Sequence, residues 1–353
     1  MFKLLVVAKG YEPTFVSKVD PAAGPLDLKL DVMKRVGLGP KTRLRGRVVD
    51  KDGNPVVGAK IDPEGVQRGT GTRWGGLDGI DPLAITDENG AFLITSKEPF
   101  DGLNVVVEAR GLARLRSNGL APDQEHVITL TDGALVSGRV LFNGKPLRDV
   151  TIGMAGANRL AGEFVGSFEM ATGNDGRFLI PALPPETDYY LYGIMSSLRD
   201  YGAIPARQVG TKGDGIATDV GELNVVVALR LGGELRLSDG RTPPAQTSVT
   251  VGFDDAWDTQ YTEVDPTGRF ELRGIPPHAV VSVSTRVNGY RLSGRNASLD
   301  PWNPFHLIGR LDEDKTNLVV LLEQGKNLEP GRTVAVEKKS GGRPRTKRLS
   351  QVI

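Results

Sequence analysis

The 353-residue chain contains no cysteine. This absence excludes a disulfide framework, a thiolate nucleophile and a thiolate metal site. Long apolar runs are also missing. No stretch reaches the roughly eighteen consecutive apolar residues that a transmembrane helix needs, so we expect no direct membrane span. An excess of charge is missing too, since 44 basic and 43 acidic residues leave a net charge of +1. We therefore expect no nucleic-acid partner and no attraction to an anionic membrane.

Glycine and proline are abundant by contrast, with 45 and 23 residues. Both residues punctuate turns, so a turn-rich β protein is favoured over a helical one. No segment has the periodicity of an amphipathic helix. The length suits roughly two to four domains.

Two motifs recur along the chain. The first is a short strand, an Asp-Gly or Asn-Gly turn and a proline, and it occurs at 44–56, 136–147 and, more loosely, 231–243. The second is a turn glycine followed two residues later by a strand phenylalanine, namely Phe92, Phe178 and Phe270. Asn-Gly and Asp-Gly readily adopt the positive φ angles of tight hairpin turns. Strand alternation sends the three phenylalanines to one face, which we expect to be the core face.

The N-terminal segment repeats the second half of this unit. Residues 2–13 match its late strand, and residues 26–30 match its closing strand. Short strands with frequent turn signals indicate sandwiches, so the repeat of about ninety residues predicts a tandem array of small Greek-key β-sandwich modules. The predicted division is a C-terminal half of a truncated sandwich over 1–41, complete sandwiches over 42–133, 134–230 and 231–327, and a basic disordered tail over 328–353.

The repeat resembles the carboxypeptidase regulatory-like domain. The residues that carry this resemblance are the segment from Gly46 to Ala59, the segment from Thr86 to Phe92, and Val6-Val7-Ala8-Lys9-Gly10-Tyr11. The resemblance implies a transthyretin-like (prealbumin-like) β-sandwich, related to Cna-B-type repeats and starch-binding-like folds. It also implies a non-catalytic module of bacterial cell-envelope or secreted proteins. The Lys–Asn crosslink of some Cna-B relatives has no matching positions here and is not carried over.

No catalytic constellation is found in the sequence. The three histidines, His126, His278 and His306, fit no His-x-x-Glu or His-Glu-x-x-His pattern, which a zinc peptidase needs. No Gly-x-Ser-x-Gly elbow is present. We predict that the chain is not an enzyme and uses no cofactor. Acidic turns such as Asp87 and Asp175 offer oxygen ligands to calcium, but Asp also suits the turns themselves, and no metal is predicted.

Aromatic residues in predicted loops are the remaining candidates for ligand binding. One group is Trp74 with Arg73, and the other is Trp257 with Tyr261, Asp255 and Asp258. Both groups lie between the second strand and the glycine turn of their repeats, which places them at equivalent ends of their sandwiches. A loop Trp offers an apolar platform to a sugar ring, and charged neighbours offer partners to its hydroxyls. Alternatively, each Trp folds back over the end of its own sandwich.

Three functional hypotheses follow. The first is a non-catalytic extracytoplasmic binding or spacer array whose partner is a glycan or an envelope protein. The second is a purely structural array that presents another domain. The third is an accessory region of a larger membrane-bound or secreted peptidase, with partner domains upstream. The location expected from these hypotheses is extracytoplasmic, in the periplasm, at the cell surface or secreted. No signal peptide is recognised at the N-terminus that would decide among them.

Overall fold

The computed structural model describes residues 2–8, 11, 14–32, 39–75, 77–157, 167–253, 255–293, 299–303 and 305–325. Almost all of their regular structure is β-strand, and the longest helix described has four residues, Met195–Leu198 (α1). This composition confirms the all-β prediction. No helix among these residues is long and apolar enough to cross a membrane. The predicted tail over 328–353 lies outside the described residues.

The chain divides into two compact units. The first comprises residues 1–135 together with the short stretches 181–185 and 212–216, and the second contains residues 136–180, 186–211 and the described chain from 217 onward. The module boundaries predicted from the repeat are finer than this division and stay predictions.

The described residues of the first unit form ten strands. They are β1 (Phe2–Val6), β2 (Thr14–Val19), β3 (Arg43–Val49), β4 (Lys60–Arg68), β5 (Gly71–Trp74), β6 (Ala84–Ile85), β7 (Ala91–Thr95), β8 (Gly102–Glu108), β9 (Leu115–Leu120) and β10 (Glu125–Thr129). The pair β1-β2 is a two-stranded sheet, β10-β3-β7 is a second sheet, and β5-β4-β8-β9 is a third, with β6 paired to β4. Short 3-10 turns lie at Pro21–Ala23 and Pro40–Thr42.

The second and third of these sheets pack as a sandwich. In β3 the arginines alternate with buried residues, as expected of a strand with one face on the core. The core contains Leu44, Val48, Phe92, Ile94 and Ile128 from one sheet, and Ile61, Val66, Leu103, Val105 and Val107 from the other. The last strand, β10, pairs in parallel with the first strand, β3, so the chain returns to the strand from which the module began.

The second unit contains the later strands. They are β11 (Ala134–Phe142), β12 (Lys145–Pro146), β13 (Thr151–Gly156), β14 (Ser167–Ala171), β15 (Arg177–Leu183), β16 (Asp188–Gly193), β17 (Arg207–Gly210), β18 (Ala217–Asn224), β19 (Leu229–Leu237), β20 (Ser248–Phe253), β21 (Thr259–Glu263), β22 (Arg269–Ile275), β23 (Ala279–Thr285), β24 (Tyr290–Leu292), β25 (Asp300–Asn303), β26 (His306–Leu311) and β27 (Lys315–Gln324). Their four sheets are β12-β11-β15 with β18 paired to β11, β14-β13-β16-β17, β22-β19-β27-β24 and β21-β20-β23-β26-β25.

These four sheets repeat the architecture of the first sandwich. The strand β19 pairs in parallel with β27, as β3 does with β10. One apolar cluster joins the sheets of the last sandwich, and it also includes Ala155, Tyr192 and Met195 from the preceding one. The rings of Tyr192 and Phe253 make an edge contact with centroids 6.2 Å apart. Two successive sandwiches in this unit therefore share a buried apolar interface.

In the first two sandwiches a glycine in the first strand leaves space for the ring of the recurring phenylalanine. Phe92, Phe178 and Phe270 are 5%, 4% and 5% exposed, so the prediction that they face the core is confirmed. A Cβ atom at Gly138 would stand 2.7 Å from Cγ2 of Val220 and 2.8 Å from Cζ of Phe178. A Cβ at Gly46 would collide first with the carbonyl oxygen of His126 in β10 and would stand 3.0 Å from Cε1 of Phe92. The ring thus occupies the space that a side chain on the glycine would need.

We expect Gly138→Ala to destabilise the second unit by about 1–3 kcal/mol, because the added methyl group overpacks the space filled by Phe178 and Val220. The midpoint of denaturant-induced unfolding measures the loss. Gly156→Ala is the matched control, since a Cβ there would meet nothing within 4 Å. Equal midpoints for the two variants would contradict this account of the repeat.

Candidate functional site

Trp74 lies at the end of the edge strand β5, and not in the loop that the sequence predicts. It is paired with Gly65 of β4 in the antiparallel hairpin β4-β5. The side chain is 52% exposed. Because side chains on directly paired residues lie on the same face of a sheet, the indole lies on the outer face of β5-β4-β8-β9, away from the sandwich core.

Gly65 forms the floor beneath the indole. A Cβ atom at Gly65 would stand 2.8 Å from Cε3 and 2.9 Å from Cζ3 of Trp74, and 2.8 Å from Nδ2 of Asn104. One side of the ring therefore rests on the sheet backbone, and about half of its surface is open to solvent. The register also shifts between Pro63 and Gly65, and β-bulges of this kind commonly re-aim side chains next to functional sites.

Two side-chain amides lie beside the indole on the same face. Asn104, which pairs with Gly65, is 2% exposed and accepts a hydrogen bond from the Gly119 N–H through Oδ1 at 2.7 Å. Gln67 pairs with Gly102, where an added Cβ would stand 2.8 Å from Oε1 of Gln67. Gly65 and Gly102 have no side chains, so the amides of Asn104 and Gln67 can lie close to the strand backbone.

Arg116 of β9 completes the surroundings of the ring. Its Cζ atom lies 5.4 Å from the centroid of Trp74, within the range of a cation–π contact. The guanidinium group also forms an ion pair with Glu64, and the Arg116 side chain is only 11% exposed. We call the set Trp74, Gly65, Gln67, Asn104, Glu64 and Arg116 the Trp74 face.

Arg73 does not belong to this face. It neighbours Trp74 in the strand and pairs with the buried Val66, so its side chain starts from the opposite side of the sheet. Its guanidinium lies 3.4 Å from the Asp78 carboxylate, an exposed ion pair. The donor that the sequence predicts from Arg73 is instead provided by Arg116, about forty residues further along the chain.

Ion pairs continue along the outer surface of the same sheet. Lys60 Nζ lies 2.8 Å from a Glu108 carboxylate oxygen, and Arg114 contacts the other oxygen. Burial raises the pKa of Glu108, but the hydrogen bonds and charges of Lys60 and Arg114 outweigh it, so the net pKa is lowered. The hydrogen bond to Glu108 raises the pKa of Lys60 in turn. This part of the surface is therefore polar, with charges of both signs.

The residues around Trp257 alternate between two environments. Asp255, Trp257 and Tyr261 are exposed, the last at 70%, whereas Asp258 is 8% exposed. The hairpin β20-β21 that contains them corresponds to β4-β5, because β20 pairs with β23 as β4 pairs with β8. The structure thus places Trp257, Tyr261 and Asp255 on the solvent side of this hairpin and separates Asp258 from them.

Asp258 lies instead in the interface between the two sandwiches of the second unit. Its Oδ2 atom accepts a hydrogen bond from the Met195 N–H at 2.7 Å. The neighbouring Gln260 donates through Nε2 to the Arg273 carbonyl at 2.6 Å. Burial raises the pKa of Asp258 and the charge of Glu169 adds to the rise, while the hydrogen bond from Met195 opposes it.

The other polar residues noted in the sequence have local partners. His126 Nε2 lies 2.8 Å from the Ala121 carbonyl, and His278 Nδ1 lies 2.7 Å from a carboxylate oxygen of Asp312. Asp87 accepts the amides of Asn89 and Ala91 in its own turn. The turn carboxylates thus serve the backbone, as Asx turns do.

These observations define a protein of tandem β-sandwiches with an open aromatic sheet face. No family model matches the sequence, and no curated protein matches it. The β-sandwich fold is confirmed by the sheets described above, whereas the carboxypeptidase regulatory-like family stays a prediction.

Three solved structures illustrate what the chain is similar to. They are the Bacillus anthracis TIE protein (10% identity, 80% of this chain and 50% of that chain, TM-score 0.22), a streptococcal ancillary pilin (12% identity, 69% and 80%, TM-score 0.26) and the shaft pilin SpaA from Lactobacillus rhamnosus GG (10% identity, 56% and 98%, TM-score 0.22). The chain spans about half the length of the first of these. Such low TM-scores carry no argument about function, which rests on the residues of the site.

We expect Asp258→Asn to remove a pH-dependent loss of stability in the second unit. The pKa of Asp258 is raised above the ordinary 3.8 in the folded protein, so the folded state binds this proton more tightly than the unfolded chain does. The free energy of unfolding of the wild type should therefore fall as the pH rises from about 3.8 through the raised pKa, and it should stay lower above that pKa.

Thermal midpoints measured between about pH 3.5 and about pH 7.5 test this expectation. The variant should lose this step, because an amide does not titrate and its oxygen can still accept the Met195 N–H. Asp255→Asn changes an exposed carboxylate in the same turn and should keep the wild-type profile. Parallel profiles for the wild type and Asp258→Asn would show that the carboxylate carries no such penalty.

Proposed function

We propose that the chain is a non-catalytic, extracytoplasmic array of β-sandwich modules, and that the Trp74 face binds a saccharide. The single observation that carries this proposal is the half-exposed indole of Trp74, whose Cε3–Cζ3 edge lies close to Gly65 and which is bordered by polar side chains. A Trp that serves only packing would be expected to bury more of its apolar surface.

A saccharide matches the chemistry of the Trp74 face. A pyranose ring has a C–H face that stacks on an aromatic ring and a rim of hydroxyls that need donors and acceptors. Gln67 offers both from its amide, Glu64 offers a carboxylate and Arg116 offers guanidinium N–H groups beside the ring. The face lies along a sheet and not in a closed pocket, which favours an internal segment of a glycan chain over a single free sugar.

The resemblance to the carboxypeptidase regulatory-like domain supports the extracytoplasmic location and the absence of catalysis in this proposal. A spacer role for the second unit is supported by its shared apolar interface, which includes Tyr192, Met195 and Phe253. Sandwiches joined through a common buried cluster resist bending at their junction more than sandwiches joined by a linker. The second unit would then act as a stiff spacer segment while the Trp74 face binds.

We expect Trp74→Ala to weaken saccharide binding by at least about fivefold, because the stacking platform is worth on the order of 1 kcal/mol or more. Screening on a glycan array identifies the ligand, and calorimetry with that glycan measures the change in Kd. Trp257→Ala is the matched control, since Trp257 lies in the corresponding hairpin of the second unit. Equal Kd values for the wild type and Trp74→Ala would refute the proposed site. A weaker affinity of Trp257→Ala alone would place the binding site at Trp257 instead.

We expect Gly65→Ala to weaken the same binding while Trp74 is still present. The added methyl group would stand 2.8 Å from Cε3 of Trp74, so the ring must lift from the sheet and lose its alignment with the amides. Gly71→Ala, in the same hairpin, is the control, because a Cβ there would approach nothing closer than the Arg68 carbonyl at 3.9 Å. Thermal midpoints of both variants check that the sandwich is intact. Undiminished binding by Gly65→Ala would show that the ring need not lie on the sheet.

A further inference from the structure

The N-terminal hairpin β1-β2 has the same strand register as β8-β9 of the first sandwich. In the later hairpin Val107 pairs with Leu115 and Val105 with Ser117, with a register shift between Leu103 and Val105. In β1-β2, Val6 pairs with Thr14 and Leu4 with Val16, with a register shift between Phe2 and Leu4. Each pair differs from its counterpart by the same offset of 101 residues, so both the register and the bulge are repeated.

The sequences that follow the two strands agree with this alignment. Val107 begins Val-Glu-Ala-Arg-Gly-Leu, and Val6 begins Val-Val-Ala-Lys-Gly-Tyr. The hairpin β1-β2 is therefore equivalent to β8-β9, and Phe2, Leu4 and Val6 are equivalent to Leu103, Val105 and Val107.

These equivalent residues differ sharply in burial. Leu103, Val105 and Val107 are each 0% exposed. Phe2 is 64% and Leu4 is 39% exposed. No described residue before Leu44 is among the buried hydrophobic residues. The hairpin therefore has the apolar face of a sandwich sheet without the opposite sheet that covers it.

The two strands also differ in their hydrogen-bonded neighbours. The strand β8 is bonded to β4 on one side and to β9 on the other, whereas within the described part of the chain β1 is bonded to β2 alone. The interface of β4 with β8 recurs as β13 with β16 and as β20 with β23. Each complete sandwich therefore pairs its second strand with its late strand, and no described strand pairs with β1 in this way.

The predicted closing strand at 26–30 shows the consequence of that lack. These residues adopt no strand, and Leu26 is 50% exposed. The equivalent strand β10 forms by parallel pairing with β3, the first strand of its module. The prediction of a strand at 26–30 is therefore wrong for this chain alone, because the strand needs a partner that residues 1–41 do not contain.

We propose that the hairpin β1-β2 is a docking surface for the first half of another module of this repeat type. A strand like β4 would pair antiparallel with the free edge of β1, and a sheet like β3-β7 would cover Phe2, Leu4 and Val6. Residues 26–30 would then gain the parallel partner on which β10 depends. The segments of this type in a second copy of the chain are already paired, β4 with β8, β13 with β16 and β20 with β23. The occupant is therefore a further segment of the repeat type.

A fusion tests this proposal on the full chain. A second copy of residues 42–101 is placed directly before Met1, because residue 102 is equivalent to residue 1. We expect amide hydrogen exchange in Phe2–Val6 and in 26–30 to slow by at least about tenfold, as backbone hydrogen bonds form there. The control fusion contains Leu44→Asp and Ile61→Asp in the added copy only, and it should leave exchange in 2–30 at the level of the unfused chain. Slow exchange in Val105–Val107 of every protein confirms that the original sandwich is folded.

A substitution in the hairpin gives an independent readout. Leu4→Asp should leave the unfused chain as stable as before, because Leu4 is exposed, and it should lower the thermal midpoint of the fused chain once Leu4 is buried. The proposal fails if exchange in the hairpin is unchanged by the fusion, or if both fusions protect it equally. It also fails if the unfused chain protects its own hairpin at high concentration, since the occupant is then a second copy.

Discussion

The glycine in the first strand of each sandwich is the position on which the rest of the module depends. At Gly46 and Gly233 an added Cβ would collide with a carbonyl oxygen of the closing strand, that of His126 in β10 and that of Leu318 in β27. At Gly46 and Gly138 it would also meet the ring of the phenylalanine from the neighbouring strand. The glycine thus permits two close approaches, one by the backbone of the strand that closes the module and one, in the first two sandwiches, by the phenylalanine ring.

This dependence explains why the module cannot be divided without exposing apolar surface. The closing strand pairs in parallel with the first strand, and the late hairpin pairs with the second strand. A late hairpin alone has an apolar face and one open edge, as β1-β2 has. Conversely, the shared cluster in the second unit shows that an exposed apolar face on one sandwich is covered by the next when both are present. Burial of these faces, and not chain connectivity, therefore determines which segments belong together.

The fold could be predicted from the sequence because the turn and strand motifs of the repeat are local. The turn glycines before Phe92, Phe178 and Phe270 lie within a few residues of the strands they begin, and Gly90, Gly176 and Gly268 have the positive φ angles expected there. Alternation in each strand then gives the core face. The strand predicted at 26–30 is not formed, and its counterpart β10 depends on a non-local signal, the parallel pairing with β3.

The candidate site could be predicted only in part, because it is assembled from several strands. Trp74 was recognised as unusual, but the length of the hairpin β4-β5 placed it in a strand. Arg116, Asn104 and Gln67 come from three different strands, and no motif links them. The available signal was glycine inside strands, at Gly65 and Gly102, which marks close approach of another group. The sequence predicts Asp258 as a ligand-facing loop residue, but buried and exposed residues alternate from Asp255 to Tyr261 and Asp258 is one of the buried ones.

The position of Trp74 in a strand has a further consequence for binding. A ring on a loop must lose conformational freedom when a ligand binds, and that loss subtracts from the affinity. The indole of Trp74 is already fixed by β5 pairing, by contact with Gly65 and by the guanidinium of Arg116. Asn104 is fixed by its hydrogen bond from Gly119. Under the proposed function, a surface held in this way would lose little entropy on binding, which would favour affinity at a shallow face.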